Sequence, residues 1–157
     1  MGLEREVEII EDWTPEDVKY LEERVVEHNA SMTGVQESDD LTILLRMRGR
    51  KEITAGVSGW TWGSACEIRY LWVHPRERRK GLGRRLMQEA EQEACSRGCE
   101  TIILETYDAQ AVAFYQKLGY DVFAIAENYP RGHAKWYMRK KLSIGSFRKD
   151  SRGEGDA

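Results

Sequence analysis

The sequence is poor in several things, and each shortage excludes something. Only three cysteines occur in 157 residues, Cys66, Cys95 and Cys99. That odd, sparse set suits reduced thiols in a cytoplasmic protein better than a disulfide framework. Together with the isolated His28 and His74 they show no metal-ligand spacing, so no metal is expected. No apolar run exceeds a few residues, as at Ile43-Leu44-Leu45, whereas a membrane-spanning helix needs about 20. The stretch from Met1 to Glu6 is acidic and lacks an apolar region, so no secretory signal is expected. Glu6 also stands where a myristoylation motif beginning at Gly2 wants Ser or Thr.

What is present describes a globular domain. Hydrophobic residues make up 41% and charged residues 32%, and a chain of this length buries about 70% of its unfolded surface. The net charge of −3 is too small to imply a nucleic acid or membrane partner. Its distribution is uneven. Residues 1–40 hold 13 acids and 3 bases, residues 76–85 hold 6 bases and 1 acid, and residues 131–149 hold 7 bases and no acid. Such a layout fits two ligands of opposite sign, or simply solvated faces. The acidic front favours a cationic small molecule or basic peptide over an acidic partner.

The pattern predicts one domain over residues 1–142 and a flexible C-terminal tail over 143–157, where Gly, Ser and charged residues take over. A first strand is expected over Glu4–Ile10. Thr14-Pro15-Glu16-Asp17 starts a helix, with a hydroxyl cap, proline in the first turn and acids beside the dipole. Val18, Leu21, Val25 and Val26 carry it to about Ala30. Residues 31–40 read as a polar connection with room for a short second helix. Strands follow over Leu41–Arg48, Ile53–Trp62 and Ala65–Val73. A helix over Gly81–Arg97 is stopped by Gly98, next to the small fillers Cys95 and Cys99. Then come a strand over Glu100–Tyr107, a helix over Ala109–Leu118, and strands over Tyr120–Glu127 and Ala134–Leu142. Trp13, Trp60, Trp62 and Trp136 read as core or rim residues. This order predicts an α+β fold in α/β/α layers, with a mixed, mostly antiparallel sheet of about seven strands flanked by helices.

The most informative stretch runs from Leu71-Trp72-Val73-His74-Pro75 into Arg78-Arg79-Lys80-Gly81-Leu82-Gly83-Arg84. A strand enters a proline turn, then a basic glycine-bearing loop, then a helix. Glycines allow close backbone approach, and the free N–H groups of the helix start, with its dipole, suit phosphate oxygens. It is neither a Walker loop nor a dinucleotide fingerprint, because no Gly-Lys-Ser/Thr follows and Leu86 replaces the third glycine. A basic surface loop capping a helix is the plainer reading, and no recognition-helix pattern supports a nucleic acid partner.

At these residues the chain resembles the GNAT N-acetyltransferases. Arg78-x-x-Gly81-x-Gly83 after Val73-His74-Pro75 is similar to the family's acetyl-CoA signature. Ala111-Val112-Ala113-Phe114-Tyr115-Gln116-Lys117-Leu118-Gly119-Tyr120 is similar to its second motif, about thirty residues on. The resemblance covers roughly residues 4 to 142, and Gly132-His133 before a basic last strand resembles one bacterial branch. It implies acetyl-CoA bound by Leu71, Trp72, Val73, Arg78, Arg79, Lys80, Gly81, Leu82, Gly83 and Arg84. Two positions depart from the usual pattern. Many members have Gly at Arg79, and many have Asn near the cofactor at Asp108, which either touches acetyl-CoA or caps the following helix.

The implied activity is acetyl transfer from acetyl-CoA to a primary amine of a small molecule or peptide, by direct attack in a ternary complex. A lysine-like amine sits about 3.4 pKa units above neutrality, so presenting it neutral costs roughly 4.6 kcal/mol. Glu67 matches the base position of histone-acetyltransferase-like members, the alternative being a Glu67–Arg69 surface pair. A backbone N–H near Trp72 or Val73 would hold the thioester oxygen, worth about 3 kcal/mol. Tyr115 is the general-acid candidate, with reference pKa values of about 10 and 8.5 for phenol and thiol. A core tyrosine is the alternative. His133 is a substrate-contact candidate or a structural turn residue. Homodimers are common in the family. A non-catalytic acyl-CoA-binding sensor on the same fold is the competing function.

Overall fold

A computed structural model describes Val7 and residues 9–143. The chain divides after Glu37 into two compact units. The first holds α1 (Pro15–Thr33), started by a reciprocal cap. The Thr14 hydroxyl accepts from the Asp17 N–H, and the Asp17 carboxylate accepts from the Thr14 N–H at 2.7 Å. Those bonds hold the Asp17 carboxyl below its ordinary range. Gly34, at φ 74°, ends the helix a turn later than the apolar spacing suggested. No second helix forms before the next strand.

The second unit carries the sheet: β1 (Ser38–Leu45), β2 (Ala55–Trp62), β3 (Ala65–Val73), β4 (Thr101–Thr106), β5 (Asp121–Glu127) and β6 (Ala134–Lys141). They are ordered β1-β2-β3-β4-β6-β5, and only the β3–β4 pairing is parallel. The mixed, mostly antiparallel architecture is as expected. Six strands occur among the described residues; the seventh was expected over Glu4–Ile10, which lies largely outside them. The expected tail also lies outside them from residue 144 on.

Alternation fixes the faces. Cys66 and Ile68 of β3 and Ile102 and Leu104 of β4 are buried in one core. Helix α2 (Leu82–Ser96) covers that core with Leu86, Met87, Ala90 and Ala94. Helix α3 (Ala109–Lys117) adds Tyr115 to the same cluster, so both helices lie on one face of the sheet.

The sheet is not uniform at its centre. Ser58 pairs with Tyr70 but Gly59 pairs with Ile68, leaving Arg69 as an extra residue in β3. After this bulge the core-facing positions are Leu71 and Val73 instead of the even-numbered ones. Parallel pairing of β3 with β4 covers only Ala65–Ile68 against Thr101–Leu104. Beyond it β3 continues beside β2 alone, and a gap opens between the two parallel strands.

Gly59 permits the bulge, because a Cβ there would run into the carbonyl of Glu67. Gly59→Ala is therefore expected to destabilise the domain by about 3 kcal/mol. Urea denaturation reads this directly, and a midpoint equal to the parent's would contradict the role given to Gly59.

Candidate active site

Because β3 and β4 are parallel, their carboxyl ends point the same way, and a helix starts beyond each. Crevices at such ends are where open sheets hold ligands. After β3, His74 begins a short 3-10 turn (Pro75–Glu77), its Nδ1 accepting from the Arg76 N–H at 3.2 Å. The loop is held down by its own charges. Arg78 Nε donates to the Val73 carbonyl at 3.0 Å, and Lys80 pairs with Glu77 at 2.9 Å. That ion pair keeps the Glu77 carboxyl below its ordinary range.

Two successive reversals shape the loop. Arg79 takes φ 63° and Gly81 takes φ 82°. Both are left-handed, which costs a non-glycine residue about 1–2 kcal/mol and explains the resemblance's preference for glycine at position 79. Gly81 caps α2 with no side-chain hydrogen bond. The N–H groups of Leu82, Gly83 and Arg84 therefore begin the helix without intrahelical partners. Arg84 is exposed beside them.

Gly83 also sits where three elements meet. A Cβ there would sit 3.4 Å from Phe114 Cζ and 3.8 Å from Val73 Cγ2. The first turn of α2, the end of β3 and the middle of α3 thus meet at one point. Phe114 in turn packs edge-on to Tyr115 at 5.1 Å between ring centroids.

The His74 N–H donates to the Thr54 carbonyl at 2.9 Å. Alternating back along β3, Trp72 also faces β2, while the N–H groups of Leu71 and Val73 face the gap. Of the two N–H groups expected near the carbonyl oxygen, that of Val73 faces the gap and that of Trp72 does not, and the Leu71 N–H stands in its place. The Trp72 side chain is exposed and meets His74 edge-on at 5.9 Å.

Tyr115 is 8% exposed, and burial alone pushes its phenol up to about 12. Glu67 is on the opposite sheet face from Tyr115, since its neighbours Cys66 and Ile68 face the core. The alternative reading of Glu67 is present: Arg69 Nε lies 3.5 Å from its carboxylate. Asp108 caps α3, its Oδ1 accepting from the Gln110 N–H at 2.8 Å. It also lines a cleft of about 620 Å3, together with Tyr107, Glu127, Asn128, His133 and Trp136. His133 and Asp108 are therefore brought together, while Glu67 and Tyr115 are separated by the sheet.

Sequence reasoning missed the bulge at Arg69 and the role of Phe114 as a wall. The bulge left a trace: apolar spacing in β3 changes from Cys66, Ile68 to Leu71, Val73, a step of three in a period of two. It also missed Glu91, an acid on the apolar stripe of α2 that is 4% exposed.

Burial also raises the Cys66 thiol to about 12, from an ordinary value near 9. Groups whose folded pKa is raised stabilise the fold while protonated and lose that stabilisation as pH climbs toward the folded value. Stability is thus expected to be full below pH about 9 and to fall between about 9 and 12, with Tyr115 alone contributing on the order of 3 kcal/mol to the loss. Urea midpoints at pH about 8 and about 11 measure it; equal midpoints would contradict the burial of these groups.

Comparison with known proteins points the same way. Residues 5–120 match the profile of the acetyltransferase (GNAT) family. Over 97 residues the chain is 37% identical to blasticidin-S acetyltransferase of Streptomyces morookaense, covering 59% of this chain and 69% of that one. A crystal structure of an acetyltransferase from Bacillus cereus superposes with a TM-score of 0.77 at 29% identity, covering 86% of this chain and 98% of the other. The fold is shared with aminoglycoside 6'-N-acetyltransferase complexed with coenzyme A, at a TM-score of 0.60 and 19% identity, over 85% of this chain and 83% of that one.

Proposed function

The chain belongs to the acetyltransferase (GNAT) family, and from that premise we propose that it transfers an acetyl group from acetyl-CoA to a primary amine of a small molecule or peptide, by direct attack with both substrates bound. The observation that carries this reading is the gap between β3 and β4. The start of α2 lies at its end, and Tyr115 lies in the helix-side core next to Phe114.

The N–H groups of Leu82, Gly83 and Arg84 take the pyrophosphate oxygens, with Lys80 and Arg84 supplying positive charge. The N–H groups of Leu71 and Val73 take the charge that develops on the thioester oxygen. A carbon–nitrogen bond forms as the carbon–sulfur bond breaks, and the amine gives up a proton. Glu67 is on the far face to receive that proton, directly or through water, once the incoming ammonium displaces Arg69.

Burial changes the part assigned to Tyr115. Full proton transfer from a phenol near 12 to a thiolate near 8.5 is uphill by about 5 kcal/mol. Tyr115 therefore serves as a hydrogen-bond donor to the departing sulfur, and water supplies the proton. The carboxylates of Asp108 and Glu127 in the cleft favour a cationic acceptor. The three free thiols suit a reducing cytoplasm.

The direct test follows thiol release from acetyl-CoA with a panel of blasticidin S, an aminoglycoside, spermidine and a peptide with N-terminal alanine. At least one is expected to turn over. Tight acetyl-CoA binding with no thiol release across such a panel would favour the sensor reading instead. Tyr115→Phe is expected to lower kcat by about 10²-fold with little change in acetyl-CoA affinity, and an unchanged kcat would remove Tyr115 from the reaction. Arg84→Glu is expected to raise the Kd for acetyl-CoA at least tenfold, about 1.4 kcal/mol. An unchanged Kd in that variant would sink the phosphate assignment.

A further inference from the structure

Glu91 is the one acid in the buried stripe of α2, and the chemistry above does not use it. Its surroundings are fully specified. Oε1 accepts from the Tyr120 hydroxyl at 3.0 Å, and Oε2 accepts from Lys140 Nζ at 2.7 Å. Lys140 Nζ also lies 5.6 Å from the centre of the Tyr120 ring. Tyr120 is 1% exposed and packs edge-on against Tyr115 at 5.8 Å and 66°. Its backbone N–H donates to the Tyr115 carbonyl at 3.1 Å. One residue thus grips Tyr115 by ring and by main chain, and that residue is itself tied by its hydroxyl to α2 and by its ring to β6.

Stability alone is a poor reason for this arrangement. Desolvating a carboxylate and an ammonium costs several kcal/mol each, and apolar replacements of a buried pair are often as stable. What an ion pair adds is a fixed geometry for its partners. We propose that Glu91 and Lys140, acting through Tyr120, are positioning residues that set the place of the Tyr115 hydroxyl at the gap between β3 and β4. The inference rests on the acetyl-transfer reading of Tyr115. Burial, and next the charge of Glu91, raise the Tyr120 phenol well above its ordinary value, so it donates to Glu91 at any working pH. On the far side, Tyr115 touches Phe114, which borders the first turn of α2. A tilt of the Tyr115 ring would therefore move its hydroxyl away from the sulfur while leaving the pyrophosphate site in place.

The test measures kcat and the KM for acetyl-CoA with whichever amine of the panel turns over fastest. Tyr120→Phe keeps the ring and removes the hydroxyl. It is expected to lower kcat about tenfold, with the KM for acetyl-CoA changed less than about twofold, because small misplacements cost rate before affinity. Glu91→Leu leaves Lys140 uncompensated and is a risk to folding. The double variant Glu91→Gln with Lys140→Met avoids that. No cation is stranded, but the ion pair that fixes the acceptor of the Tyr120 hydroxyl is gone, so kcat is expected to fall several-fold toward the Tyr120→Phe value with the KM for acetyl-CoA little changed, and a parent-like kcat would overturn the positioning role of the pair. Adding Tyr120→Phe to Tyr115→Phe is expected to cost no further rate, since the positioned hydroxyl is already gone. Parent-like kcat in folded Tyr120→Phe, or additive losses in the Tyr115→Phe background, would overturn the inference and leave acetyl transfer standing. Parent-like kcat in Tyr115→Phe would overturn the reading of Tyr115 and this inference with it.

Discussion

Parallel pairing between β3 and β4 stops after Ile68 and Leu104, and the candidate site depends on its stopping there. Had the ladder continued, the N–H groups of Leu71 and Val73 would be spent on β4 carbonyls and no cleft would separate the strands. The cause is local. Arg69 is an extra residue opposite Ser58 and Gly59, where a bulge bends a strand, and Val73 beyond it lies against the start of α2 without a partner on β4. A bulge normally weakens a sheet; here it leaves donors where a ligand can use them.

The packing around the gap serves two demands at once. In the proposed complex Gly83 lets the backbone of α2 come close to phosphate oxygens, and Phe114 and Val73 lie at van der Waals distance from the place where a side chain would begin. Tyr115 is buried deeply enough to raise its phenol to about 12, which makes it a reliable donor and a reluctant acid. The two sides of the sheet then divide the chemistry. In the proposed reaction, phosphate binding and the leaving group belong to the helix side, and the proton of the amine belongs to the side of Glu67.

Much of this was legible in the sequence. The proline and glycines from Pro75 to Gly83 marked the loop, and the apolar spacing of Leu86, Met87, Ala90 and Ala94 marked the helix that follows. Gly119 marked the end of α3, with φ 91°. The capping alternative for Asp108 was readable from its place before Ala109, and the pair Glu67–Arg69 from strand alternation. What was not legible depended on partners distant in sequence. The pKa of Tyr115 follows from packing against Tyr120 and Phe114, so reference values overstated its match to a thiol. The bond between Glu91 and Lys140 spans 49 positions, and no local pattern joins an acid on a helix to a lysine on the last strand. The direction of the Leu71 and Val73 N–H groups needed the register of β2 against β3.

The account stands most directly on the free amides of β3. Hydrogen exchange at Leu71 and Val73, measured by NMR with and without acetyl-CoA, tests it without knowledge of the acceptor. Both amides should exchange faster than those of Cys66 and Ile68 in the free protein and slow by about tenfold or more when acetyl-CoA is added to saturation. Exchange at Leu71 and Val73 that is already slow without acetyl-CoA, or unchanged by it, would contradict the gap as the place where the thioester is held.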